Sequence, residues 1–177
     1  MQTVDLLKRQ AAFAYDELLK ALDGVTEPQA WAVLPAAGSE YLHTDGSIQG
    51  LVLHIATGKR LYASMAFRNR EVRWRDTAEQ LDRFEPSWPA ALEYLTESQR
   101  YWLASWEGLT DGELEKEMGT IWDRLWPAWR IIHEMNHHDS YHAGQIVMLR
   151  YASGESSIPP PSYASDIRES AASYPSW

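Results

Sequence analysis

The chain contains no cysteine. That absence removes disulfides, thiolate nucleophiles and zinc–thiolate sites, so any metal must be held by histidine or carboxylate. Basic residues are scarce as well. Sixteen Lys and Arg stand against twenty-five Asp and Glu, a net charge of −9, the wrong sign for a protein that follows a phosphate backbone. The one local exception, Arg68, Arg70, Arg73 and Arg75, is interrupted by Glu71 and Asp76 and reads as a solvated connection. No nucleic-acid partner is expected. No apolar run approaches the roughly 18 residues of a membrane span, and the opening MQTVDLLKRQ carries no apolar leader segment. The expectation is a cytoplasmic protein with no membrane partner.

What the chain does contain is ordinary globular composition, 45% apolar and 23% charged residues over 177 positions, enough to bury a single core. Apolar residues Val4, Leu7, Ala11, Ala14, Leu18 and Leu22 fall on one helical face, with Thr3 placed to cap the start and Gly24 to end it. Residues 25–46, broken by Pro28, Pro35, Gly38 and Gly46, read as a long connection. Ser47 then opens a second helix running to about Asn69, with the seam Leu51, His54, Gly58, Leu61 and Met65.

Residues 70–86 form a polar connection with a helical turn around Ala78–Arg83. Ser87 followed by Trp88-Pro89 begins a third helix that Gly108 closes, with the seam Leu92, Leu95, Gln99, Trp102 and Trp106. A charged stretch over 111–120 has room for a short extra turn. The last helix runs from Pro127 to Gly154 with the seam Ile131, Met135, His138, His142, Gln145 and Leu149. Nothing alternates with period two, so the expected fold class is all-α, a four-helix bundle over residues 1–153. The tail, 154–177, holds Pro159-Pro160-Pro161 and is expected to be an extended strap or a mobile end. Nine tryptophans are read as bulky core and rim packing.

Three of the six histidines interrupt apolar seams. His138 and His142, four residues apart, stack on one helical face, and His54 occupies a position on the second helix where an apolar residue is expected. Buried imidazoles without partners cost roughly 1–3 kcal/mol each, and one shared cation satisfies all three. The other histidines divide differently. His133 lies about 140° around the helix from His138, His137 is one residue off the seam, and both are expected to face a neighbouring element or water. His43, in the connection, can at most line a site entrance.

Glu134, four residues before His138, is the candidate catalytic residue, open between a fourth ligand, a proton acceptor for bound water and a surface carboxylate. Asp139 is open between orienting a ligand imidazole and a helix-surface ion pair. Tyr141 and Gln145 either border the cavity or pack.

At Gly46-Ser47-Ile48, Leu53-His54-Ile55-Ala56 and the run His138-Asp139-Ser140-Tyr141-His142-Ala143-Gly144-Gln145-Ile146, the chain resembles the DinB-like (DinB/YfiT) superfamily of metal-dependent proteins. The resemblance covers about residues 1–153. It implies up-down-down-up connections, a homodimer, and zinc or nickel, with iron as a further candidate, on His54, His138 and His142 with water completing the sphere. It also implies a small-molecule substrate and, in members with known activity, a low-molecular-weight thiol partner.

The leading expectation is therefore a metal-dependent enzyme that activates water or a thiol, a hydrolase or a thiol S-transferase. A non-catalytic metal- or ligand-binding bundle, with a closed coordination sphere, and a metal-free interaction module are the competing readings. Sequence leaves the metal's identity open, since three neutral imidazoles suit several divalent ions.

Overall fold

The computed structural model describes residues 2–33, 44–82 and 86–154. Four long helices carry its core: α1 (Thr3–Leu22), α3 (Ile48–Phe67), α5 (Trp88–Ser105) and α6 (Ala128–Ala152). Between them lie α2 (Glu27–Trp31), α4 (Trp74–Asp82), a 3-10 turn (Asp111–Glu113) and a hairpin of β1 (Glu117–Gly119) and β2 (Leu125–Pro127). His43 and the tail past Gly154, for which the sequence raised expectations, lie outside the described residues.

Local chemistry explains most boundaries. Ser47 accepts the Gly50 amide at α3, and Ser87 accepts the Ala90 amide at α5, where Pro89 occupies the first turn. Gly24 and Gly154, just past their helices, have φ of +74° and +86°, a conformation that side chains resist. The cap expected from Thr3 is a correction. The N-cap of α1 is Gln2 and offers no side-chain bond; instead Asp111, far along the chain, accepts the Thr3 and Val4 amides at 2.9 and 2.8 Å. A long-range cap leaves no local sequence signature.

Two apolar clusters define the topology. One gathers Leu18 and Leu22 of α1, Ile48, Leu51 and Ile55 of α3, Trp88 and Leu95 of α5, and Ala143 and Ile146 of α6. The other gathers Val4 and Leu7, Tyr62 and Ala63, Trp102 and Trp106, and Ile131 and Met135 from the same four helices. The end of α1, the starts of α3 and α5 and the end of α6 thus share one pole, so the order is up-down-down-up. α3 and α5 run parallel, as do α1 and α6. Between the clusters the seams turn polar: Thr57, Lys59, Ser98, Gln99, Asn136, Asp139 and His142 are all buried. This polar band, across the middle of the bundle, holds the candidate site.

The expectation of helices alone needs one amendment. β1 and β2 pair antiparallel, Met118 opposite Trp126, and each is three residues long, too short for alternation to register in the sequence. Thr120 holds the turn: its amide donates to the Arg124 carbonyl at 2.9 Å and its hydroxyl accepts the Arg124 amide at 3.2 Å. The helical turn expected at 78–83 is the longer α4, starting at Trp74. No helix among the described residues is long and apolar enough to cross a membrane.

Candidate metal centre

α3 contributes His54 and α6 contributes His138 and His142, and the three rings meet in the polar band. His138 Nε2 lies 3.1 Å from His54 Nε2 and 3.1 Å from His142 Nε2. One ligand atom from each ring falls within 4.8 Å of the others. Nitrogens bound tetrahedrally at about 2.0–2.1 Å stand about 3.3 Å apart, so the spacing suits a single ion. The donor set fits as well: three nitrogen lone pairs aimed at one point cannot satisfy one another, because a neutral imidazole carries a single N–H and its other nitrogen can only accept.

Burial keeps the His138 ring neutral. Burial, followed by the neighbouring His142, His54 and Lys59, pushes the His138 imidazole down to about 2. His142 Nδ1 donates to Gln145 Oε1 at 2.6 Å, which turns the Nε2 lone pair toward the other two rings. Gln145 Nε2 donates in turn to the Tyr141 hydroxyl at 3.2 Å. Tyr141 meets the His142 ring edge-on at 5.1 Å and stacks on His137 at 6.4 Å. Gly58 faces the group: a Cβ there would stand 3.6 Å from His138 Cε1.

The orienting partner is a correction. Asp139 neither accepts from a ligand imidazole nor sits at the surface. It is 2% exposed, and its Oδ2 accepts the Lys59 ammonium at 2.6 Å. Burial pushes the Asp139 carboxyl up and the Lys59 ammonium down, with their mutual attraction opposing both. Sequence reasoning singled out neither Lys59 nor Gln145 for these roles. Gln145 was findable by its spacing, three residues after His142. Lys59 lies one residue past the seam position Gly58 and carried no such signal.

Glu134 is half-exposed and pairs with Arg130, Nε to Oε1, at 3.7 Å; it does not belong to the clustered ligand group. His133 and His137 are exposed on the other side of α6, as the helical spacing predicted.

Fold and site together define a helical bundle with a three-histidine centre suited to a metal ion. The family model of the DinB superfamily matches residues 10–146, and the chain belongs to that superfamily. A solved structure described as the conserved protein of locus from Enterococcus faecalis aligns at a TM-score of 0.64 with 14% identity, covering 85% of this chain and 96% of that one. That likeness concerns fold alone. No curated protein matches significantly.

Proposed function

We propose that the chain is a metal-dependent enzyme in which His54, His138 and His142 hold one divalent transition ion, zinc or nickel in first place and iron as a further candidate. The reading rests on one observation: three imidazole nitrogens from two helices converge inside an otherwise packed core. A bound ion would supply Lewis acidity, lowering the pKa of a water or a thiol.

The chain's own residues prepare that chemistry. Gln145 holds His142 in the Nδ1–H tautomer, and burial keeps His138 unprotonated. Glu134 stands one helical turn before His138 and is the candidate on that helix to take a proton. Because the chain has no cysteine, a reacting thiol has to arrive as a small co-substrate. Hydrolysis and thiol transfer then differ only in which nucleophile enters.

Element-specific analysis of untagged protein tests the centre: one metal per chain is expected in the parent and none in the His54→Ala or His142→Ala variants. Titration of the cobalt-substituted protein with small thiols tests the reaction. A change in the visible spectrum supports transfer; a spectrum indifferent to thiols, alongside turnover of activated esters, supports hydrolysis.

A further inference from the structure

Three glycines interrupt the long helices, and glycine inside a helix is destabilising relative to alanine. Packing accounts for Gly50, where a Cβ would collide with the Asp45 carboxylate. Gly144 is exposed on α6, with nothing within 4 Å of where its Cβ would stand. Gly58 is different. It faces the three-histidine centre, and among the described residues the one heavy atom near its missing Cβ, His138 Cε1, is 3.6 Å away. That is ordinary contact distance, so alanine would fit, and neither helix needs glycine there to approach the other.

Side-chain exposure shows which way the centre opens. His54, His138 and Gly58 keep partial exposure, whereas His142 is buried. Lys59 and Asp139, the next residues along α3 and α6, are buried, and the Lys59 ammonium lies 5.6 Å from the centre of the Tyr15 ring of α1. The bundle side of the centre is therefore closed, and the way in passes over Gly58.

One turn further along α3, about 6 Å on, Tyr62 is 8% exposed, and its ring meets Trp122 edge-on at 5.7 Å. Trp122, in the hairpin turn, is 56% exposed. It tilts against Trp126 at 5.6 Å, and Trp126 is backed by the Arg130 guanidinium at 4.1 Å. The turn holds this indole in place: the Trp122 amide donates to the Thr120 hydroxyl at 3.4 Å, and Asp123 adopts a left-handed φ of +54°. An indole fixed against other rings on one side offers its exposed face to a flat apolar group.

We infer that Gly58 keeps open the substrate's place beside the centre, and that the substrate carries a flat aromatic body that lies against Tyr62 and Trp122. The inference rests on the metal-centre reading above and adds where the substrate enters and what shape it has. Gly58 is then a specificity residue: the helix gives up stability so that no side chain stands in the approach.

The test loads the full chain with cobalt and follows its visible spectrum during titration with acetohydroxamate and benzohydroxamate, which carry a methyl and a phenyl on the same chelating group. In the parent, benzohydroxamate should bind about tenfold more tightly, and Trp122→Ala should erase that preference. Gly58→Ala should weaken both about tenfold at unchanged cobalt content, while its metal-free form melts about 2–4 °C higher. Gly144→Ala, about 160° around α6 from His142, should gain stability and bind both hydroxamates as the parent does. A parent that takes up no cobalt would sink the metal reading and this inference with it. With cobalt bound, the inference alone is overturned by normal hydroxamate binding in Gly58→Ala, by equal affinity for the two hydroxamates in the parent, or by a phenyl preference that survives Trp122→Ala. Loss of cobalt or a lower melting temperature in Gly58→Ala would also overturn it, since Gly58 would then serve the packing of His138.

Discussion

Gln145 accepts the Nδ1 proton of His142 at 2.6 Å and thereby decides which nitrogen of that ring faces the centre. Outer partners of this kind fix ligand tautomers, and losing them typically costs 10–100-fold in metal affinity. Gln145→Leu is expected to weaken metal binding within that range while leaving the fold intact. Chelator competition measures the first effect and the melting temperature of the metal-free chain the second. Unchanged affinity would show that His142 needs no such partner.

The buried Lys59–Asp139 pair spans α3 and α6 at 2.6 Å. Removing one partner of such a pair leaves an uncompensated charge, at a cost of about 3–5 kcal/mol, whereas replacing both with apolar residues is often neutral. Lys59→Met alone is expected to lower stability by that amount, and Lys59→Met with Asp139→Leu to recover most of it. Urea unfolding of the three proteins measures the coupling; additive losses would mean that the two groups act separately.

Stability should also depend on pH through His138. Its folded pKa, held near 2, lies below the ordinary value of 6.5, so the unfolded chain takes up a proton that the folded chain refuses. The contribution is fully present above about pH 6.5 and is lost progressively as pH falls below it, at about 1.4 kcal/mol per unit. Denaturation of metal-free protein between pH 7 and 5 should show this slope, and His138→Gln should flatten it.

Asp111 provides a fourth check. It caps the Thr3 and Val4 amides, and these two backbone bonds hold its carboxyl below the usual range. Asp111→Ala should fray the first turn of α1, seen as faster hydrogen exchange at those amides, with the rest of the helix unchanged. The same fraying should appear in the parent once the pH falls well below the ordinary carboxylate range, because the cap is lost only as Asp111 protonates.

The long helices were legible because their signals are local. Ser47 and Ser87 cap within three residues, and the apolar seams repeat with the helical period. The three histidines were legible as polar intrusions in those seams, and the structure brings all three together. What escaped was non-local or small. Asp111 reaches α1 across most of the chain, Lys59 finds Asp139 on another helix, and the hairpin around Thr120 is too short to show a pattern. Asp139 was left open between orienting a ligand imidazole and a helix-surface ion pair for the same reason: its partner, Lys59, arrives from α3.

The parallel course of α3 and α5 has a consequence for chain length. A helix of 20 residues, such as α3, spans about 30 Å, so residues 68–87 must return from the far end of the molecule before α5 can begin beside its neighbour. Fully stretched backbone covers at most about 3.6 Å per residue. A tether trimmed below about eight residues could no longer make the journey, and α5 and α6 would have to complete a neighbouring chain in place of their own.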